Sequence, residues 1–185
     1  MVIDRILPFT KHLLNRCVEA GETVIDATCG NGNDTLFLSE LVGDRGLVLA
    51  FDIQERAIEV TREKLESAKI SNVKLILDGH ENVKNYTDSE ISAAIFNLGY
   101  LPGSDKSITT NGETTWRAVT NILKNLKKSG IIILVIYHGH DSGKIERDAI
   151  EANIATLDKG ATAVLRYEFL NKESAPYIIA IERVI

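Results

Sequence analysis

A short apolar segment that runs directly into a glycine loop constrains the fold of this chain more than any other feature. Between residues 23 and 35 the sequence reads TVIDATCGNGNDT, and its β-branched start predicts a buried strand. Gly30 and Gly32 permit positive φ and carry no Cβ that would hold a ligand away from the backbone. Asn33 or Asp34 can cap the helix that is predicted to follow. In α/β proteins, a strand, a glycine loop and a helix at the carboxyl end of a parallel sheet bind nucleotide-like ligands.

The composition is that of one globular domain, which we expect to span residues 1–185. With 185 residues, 44% of them hydrophobic, the chain is long enough for a full core. No apolar run approaches the roughly 20 residues needed to cross a bilayer, and the N-terminus lacks a signal-peptide layout. Two cysteines provide no disulfide framework, so we expect a cytoplasmic protein that does not enter a membrane. The net charge of -5 argues against nucleic acid as a partner, but it does not exclude a local basic face.

Acidic residues end the second and third predicted strands. Asp52 follows the apolar run over 46–52, about 20 residues after the glycine loop, where a carboxylate can accept both hydroxyls of a ribose. Gln54 can reach the same sugar or its base. A cap for the helix predicted over 54–68 is the alternative role of Asp52, and the two roles are compatible.

The third strand, predicted over 73–78, is followed by Gly79 and His80. These two residues are expected to border an adenine. For His80, an ordinary loop position is an equally good interpretation.

A fourth strand, predicted over 91–97, runs into a loop that is rich in glycine and proline. The side-chain carbonyl of Asn97 and nearby backbone carbonyls can accept hydrogen bonds from an amine, and Tyr100 can lie against the planar group that carries the amine. We therefore predict an acceptor site here. The alternative is a simple turn, in which proline and glycine only redirect the chain.

The remaining segments complete a sheet covered by helices. Residues 3–20 predict an amphipathic helix, either a cover helix or a lid over the ligand pocket with a basic face toward a phosphate backbone. Two further helices are predicted, over 113–128 and over 146–157. The lysines at the end of the first are expected to lie in solvent. Strands predicted over 163–169 and 177–183 are joined by a short connection that suits a hairpin, so the last strand should be antiparallel to its neighbour.

Two histidines follow the most apolar strand, which is predicted over 131–137. His138 and His140 suggest a metal site at first, but two ligands two residues apart in a glycine loop make zinc a poor interpretation. We expect no metal. We prefer a wall of the acceptor pocket, where either histidine can take up a proton near neutral pH.

Five strand–helix units, then a strand and its hairpin partner, make a seven-stranded, mostly parallel sheet with helices on both faces. This layout resembles the Rossmann-like class I fold of S-adenosylmethionine-dependent methyltransferases, an α/β architecture whose last strand is antiparallel. Asp26, Gly30 and Gly32 match the acid-x-x-x-Gly-x-Gly pattern of that fold, whereas Thr35 stands where a dinucleotide-binding loop requires glycine or alanine. The resemblance implies S-adenosylmethionine as the cofactor.

The motifs also resemble one bacterial family, labelled "putative rRNA methylase" and known as YtqB/MnmM-like. The likeness rests on four segments and extends over essentially the whole chain: residues 6–9, 26–35, 96–103 and 137–140. Family membership implies a methyltransferase that acts on the 5-aminomethyl group of the wobble uridine in tRNA. Leu98 and Gly99 replace the Pro-Pro of the DNA and RNA amino-methyltransferase loop, which separates this chain from enzymes that act on a planar base amine.

The resemblance and the motifs together give two sets of candidate residues. The residues expected around the cofactor are Asp26, Gly30, Asn31, Gly32, Asn33, Asp34, Thr35, Asp52, Gln54, Gly79 and His80. The residues expected to be catalytic at the acceptor are Asn97, Tyr100, His138 and His140.

Other functions stay open at this stage. Within the same class, the acceptor can be rRNA or a small molecule, and the acidic net charge slightly favours the small molecule. From other classes, an NAD-dependent oxidoreductase and a non-catalytic RNA-binding module are the alternatives. A homodimer is compatible with such a fold.

Overall fold

The computed structural model describes residues 2–99, 109–139 and 141–185. Two predicted acceptor residues, Tyr100 and His140, lie outside these ranges. The strands are β1 (Thr23–Asp26), β2 (Leu47–Asp52), β3 (Val73–Leu77), β4 (Ile91–Asn97), β5 (Leu126–Ile136), β6 (Thr162–Tyr167) and β7 (Tyr177–Arg183). The helices are α1 (Ile6–Cys17), α2 (Asn33–Val42), α3 (Glu55–Ser67), α4 (Gly112–Asn125) and α5 (Asp141–Ile154), with a 3₁₀ helix over His80–Asn85.

The strands form one seven-stranded sheet in the order β3-β2-β1-β4-β5-β7-β6. All pairings among β1 to β5 are parallel, whereas β7 is antiparallel to both β5 and β6. The predicted fold class and the predicted hairpin are therefore confirmed. The chain leaves β1 toward β2 on one side and returns on the other side as β4, so a crevice opens at the carboxyl ends of these strands.

Apolar residues cover both faces of the sheet, as the alternation along its strands requires. One core contains side chains of α1, α2 and α3, such as Leu14, Leu38 and Ile58. The other contains side chains of the 3₁₀ helix, α4 and α5, such as Val83 and Ile122. The prediction of helices on both faces is confirmed.

Several predicted boundaries are wrong, and tertiary contacts explain the largest error. The helix expected over 113–128 ends at Asn125, and β5 begins at Leu126. Lys127 therefore lies on a strand, where its ammonium group forms an ion pair with Glu22 at the start of β1. The helix expected over 146–157 occupies Asp141–Ile154, and the one expected over 3–20 is limited to Ile6–Cys17.

The close approach of α4 to α5 gives a test of the packing. A Cβ on Gly112 would lie 2.7 Å from the Cβ of Ala149 and 3.2 Å from the carbonyl oxygen of Glu146. We expect Gly112→Ala to lower the free energy of unfolding by about 1–3 kcal/mol through overpacking, measured by urea denaturation. Ala149→Gly alone should cost about 1 kcal/mol of helix propensity. The double variant should lose less than the sum of the two, and strict additivity would contradict this account of the contact.

Candidate active site

A cavity of about 1330 Å³ occupies the crevice at the carboxyl ends of β1 to β4. Most of the residues predicted to hold a cofactor line it: Gly30, Asn31, Asn33, Asp34, Asp52, Gln54, Gly79 and His80. Asn97, predicted for the acceptor, lines it as well. Asp26, Gly32 and Thr35 are buried and are not part of the lining.

Asp26 lies beneath the glycine loop and fixes its shape. Its carboxylate is fully buried and accepts hydrogen bonds from the Thr35 hydroxyl at 2.6 Å and from the Thr28 backbone N–H at 3.2 Å. This geometry makes Asp26 a support of the loop rather than a direct ligand contact. Burial, aided by the negative charge of Asp34, raises the pKa of Asp26 to about 7.

The glycine loop is held from outside by α3. The Thr61 hydroxyl donates to the carbonyl oxygen of Gly30 at 3.1 Å, and the Lys64 ammonium donates to the carbonyl oxygen of Asn31 and to Oδ1 of Asn33. Gly32 has a φ of +72°, and a Cβ there would lie 2.9 Å from Thr61. A glycine is therefore required at this position for both conformation and space.

The capping prediction for α2 is wrong. Gly32 is the N-cap residue, in the left-handed region, and no side chain caps the helix there. Asn33 and Asp34 already belong to the first turn of α2, so their side chains point away from the helix start and bind Lys64 and Asn97 respectively.

Asp52 lies at the end of β2, and each of its carboxylate oxygens accepts a hydrogen bond from a backbone N–H group. Oδ1 accepts from the backbone N–H of Gln54 at 2.9 Å, and Oδ2 accepts from that of Gly30 at 3.0 Å. Each oxygen keeps a further lone pair, and the residue lines the cavity, so a ribose diol can be bound as predicted. The alternative role as a helix cap is not observed, because Gln54 is the N-cap residue of α3 and Asp52 binds the backbone N–H of Gln54 rather than one inside the helix. Burial raises the pKa of Asp52.

His80 lines the cavity, and one of its ring nitrogens has no hydrogen-bond partner among the described residues. Its Nδ1 lies 3.0 Å from the carbonyl oxygen of Ala27, and because a carbonyl can only accept, Nδ1 carries the hydrogen. Nε2 is then a lone-pair acceptor; it is buried and has no hydrogen-bond partner among the described residues. Burial lowers the pKa of His80, which keeps the ring neutral.

Asn97 links the segment of the glycine loop to the predicted acceptor site. Its backbone N–H donates to the Thr28 hydroxyl at 2.8 Å, and its Nδ2 donates to Oδ2 of Asp34 at 2.6 Å. A carboxylate cannot donate, so the group directed at Asp34 is the amide NH₂ of Asn97, and Oδ1 of this cavity-lining residue is an acceptor that this bond does not use.

His138 is not among the residues that line the cavity, so its predicted place in the acceptor wall stays a prediction. The residues on either side of it, Tyr137 and Gly139, line the cavity, whereas the His138 ring packs against Tyr177 with centroids 5.4 Å apart. Alternation along β5 explains the difference, since Ile133 and Val135 face the α1–α3 side of the sheet and Tyr137 continues that row. Tyr137 was missed, although the same alternation in the sequence could have identified it. Burial, and secondarily the charge of Asp34, raise the pKa of Tyr137.

The cavity favours cations. Among the described residues that line it, four are carboxylates and one is a lysine: Asp34, Asp52, Asp78, Glu81 and Lys11. The other ionisable lining residues, Cys29, His80 and Tyr137, are neutral. Over residues 2–99, 109–139 and 141–185, no group of histidine, cysteine, aspartate or glutamate side chains is arranged to hold a metal ion. Within the same ranges, no helix is both long and apolar enough to cross a bilayer.

Comparisons with known proteins agree with this geometry. The family model described as "Putative rRNA methylase" matches residues 48–182. The crystal structure of a "putative rRNA-methylase" from Clostridium thermocellum is 41% identical, with a TM-score of 0.97 and coverage of 100% of both chains. A "putative methyltransferase" from Streptococcus mutans, solved in complex with SAH, is 40% identical over 99% of this chain and 100% of its own, with a TM-score of 0.91.

A curated relative is also similar over most of this chain. It is the chloroplastic tRNA (mnm(5)s(2)U34)-methyltransferase of Arabidopsis thaliana, 39% identical over 173 residues. The match takes in 88% of this chain but only 63% of that protein.

The sheet order, the antiparallel β7 and the glycine loop over Asp26 define a Rossmann-like class I methyltransferase. Within that class, the chain belongs to the family described as "Putative rRNA methylase", and the family recognised from the sequence motifs is confirmed.

The raised pKa of Asp26 predicts a specific pH dependence of stability. A carboxyl whose pKa rises from its ordinary 3.8 to about 7 on folding binds its proton more tightly in the folded state. Its contribution to stability is complete below pH 4 and is lost as the pH rises to about 7, by at most about 1.4 kcal/mol per pH unit. The difference in unfolding free energy between the ligand-free protein and Asp26→Asn should shrink over this range. A constant difference, measured by urea denaturation at several pH values, would contradict it.

Asp52 provides a test of the donor half of the cavity. We expect Asp52→Ala to weaken S-adenosylhomocysteine about 10- to 100-fold in calorimetric titration, because charge-assisted hydrogen bonds are lost. Asp44, an exposed carboxylate just after α2, provides the matched control. Asp44→Ala should bind as the wild type does, and equal losses in both variants would remove Asp52 from the site.

Proposed function

We propose that this protein uses S-adenosylmethionine to methylate the aminomethyl group of 5-aminomethyl-(2-thio)uridine at the wobble position of tRNA. The single observation that carries the amine acceptor is the amide of Asn97, which is oriented by its hydrogen bond to the carboxylate of Asp34 while both residues line the cavity. The name of the Arabidopsis relative, which specifies a modified wobble uridine in tRNA, supports this particular acceptor. The proposed compartment is the cytoplasm, and a homodimer is the proposed assembly.

The residues of the cavity fit the proposed cofactor. Asp52 offers lone pairs to a ribose diol, and the buried Nε2 of His80 has no partner among the described residues and suits a donor on the adenine side. Gly30 and Asn31 would surround the methionine portion. When bound, S-adenosylmethionine supplies a methyl group on a positively charged sulfur that is already electrophilic.

The chain's own residues then position the acceptor and exclude water. Oδ1 of Asn97 orients the amine by accepting one of its N–H groups, and the Tyr137 ring closes one wall of the cavity. Holding the two reactants in line provides most of the rate enhancement, because a sulfonium methyl needs little further activation. Tyr100 and His140 remain proposed acceptor residues on the evidence of the sequence alone.

The acceptor is tested by the nucleoside content of tRNA. In a strain that lacks the gene, mass spectrometry should show accumulated aminomethyl-uridine, which the wild-type gene should remove. A gene carrying Asn97→Ala should not restore methylation, since loss of a positioning hydrogen bond lowers the rate about 100-fold. An unchanged nucleoside profile in the deletion strain would eliminate this acceptor and leave rRNA or a small molecule.

The alternative from another class is tested by ligand binding. A methyltransferase should be stabilised by S-adenosylhomocysteine and not by NADH, and thermal denaturation with each ligand distinguishes the two. Stabilisation by NADH alone would favour an oxidoreductase.

A further inference from the structure

Asp34 occupies a position that support of the cofactor does not explain. It lies half-buried in the first turn of α2, where no side-chain cap is made, and it faces across the crevice to β4. Its Oδ2 accepts the Asn97 amide at 2.6 Å, so Asp34 lies at the junction between the glycine loop and the predicted acceptor site. The sugar position, in contrast, is already served by Asp52.

The Asp34–Asn97 contact leaves a set of acceptors that suits a cation. Asn97 uses one of the two N–H donors of its amide on Asp34, and its Oδ1 and the remaining lone pairs of the Asp34 carboxylate are the acceptors that are left. A primary ammonium carries three N–H donors and a positive charge, whereas a ring amine or a hydroxyl is neutral. A carboxylate beside a fixed amide oxygen therefore matches a protonated alkyl amine best.

We propose that Asp34 binds the acceptor amine as its ammonium ion and takes its proton before methyl transfer. This inference rests on the proposed function and assigns to Asp34 a role at the acceptor rather than at the cofactor. Desolvation and the nearby sulfonium both favour loss of the proton from the amine. Asp34 accepts that proton, and the freed lone pair forms the new N–C bond. The C–S bond breaks with its electron pair left on sulfur, and the proton passes from Asp34 to water.

The groups around Asp34 are compatible with this role. Asp26 lies beneath the loop and Asp52 on its far side, while Tyr137 faces Asp34 from the end of β5. Lys11 of α1 is the one cation among the described residues that line the cavity, since His80 is neutral. The cavity thus carries more carboxylates than cations. Two positive reactants can be brought together there because their repulsion is offset by this excess of negative charge.

Asp34→Asn provides the test, because an asparagine can still accept from Asn97 while the charge is lost. Binding is measured in the presence of S-adenosylhomocysteine, with anticodon stem-loops that carry aminomethyl-uridine, hydroxymethyl-uridine or uridine at the wobble position. The wild-type protein should prefer the aminomethyl stem-loop over both others about 10- to 100-fold, the range expected for a charged hydrogen bond. Asp34→Asn should lose this preference and keep its affinity for S-adenosylhomocysteine and for the uridine stem-loop.

Asp44→Asn removes an exposed carboxylate near the other end of α2 and should behave as the wild type. Retained preference in Asp34→Asn would overturn the inference, as would a loss of S-adenosylhomocysteine affinity as large as the loss of affinity for the aminomethyl stem-loop. If Asp34→Asn does not fold, the wild-type comparison of the aminomethyl and hydroxymethyl stem-loops still tests charge recognition, and equal affinity would overturn the inference. If the wild type does not distinguish aminomethyl-uridine from uridine, the proposed function fails first.

Discussion

The site depends on one buried carboxylate. Asp26 accepts hydrogen bonds from the Thr35 hydroxyl and from the backbone N–H of Thr28, and both of these segments are in turn bonded to Asn97. The Thr28 hydroxyl accepts a hydrogen bond from the backbone N–H of Asn97. Asp34, the neighbour of Thr35, accepts one from the side-chain amide of Asn97. The end of β1, the first turn of α2 and the end of β4 are thereby joined in one hydrogen-bonded ring, so the two halves of the cavity keep a fixed separation.

A hydrogen-bonded ring around a buried carboxyl is stable only while every donor to that carboxyl is kept. A buried carboxyl that loses one of its donors is left unsatisfied, which is more unfavourable than exchanging the whole group for an apolar one. The raised pKa of Asp26 has the same origin, because burial favours the neutral form of the carboxyl. A positively charged ligand above the glycine loop would favour the ionised form instead. The loop is therefore better matched to a cationic cofactor than to an anionic dinucleotide, a distinction that the glycine pattern alone does not make.

The sequence predicts those parts of the molecule whose local pattern and tertiary role agree. The apolar strands, the glycine loop and the acid at Asp52 belong to this group, because burial, positive φ and hydrogen-bonding chemistry each require particular residue types. Features that depend on contacts between distant segments were predicted less well. Lys127 lies in a lysine-rich segment that is typical of a helix end, yet it belongs to β5, where it forms an ion pair with Glu22. His138 has suitable chemistry, but the alternation of β5 turns its ring toward Tyr177 and brings Tyr137 to the cavity.

The distribution of charge is compatible with the nucleic-acid substrate proposed above. Phosphates would be repelled by the four carboxylates among the described residues of the cavity lining, so the backbone of a bound RNA would stay outside the cavity. A single base whose substituent is cationic meets the opposite condition, since desolvation inside the cavity strengthens its attraction to Asp34. Under the proposed function, selectivity needs no excess of basic surface, because the carboxylates among the described lining residues would discriminate by the charge of the group that enters the cavity. The net charge of -5, which argued against RNA when considered for the whole chain, is consistent with recognition of one modified nucleotide.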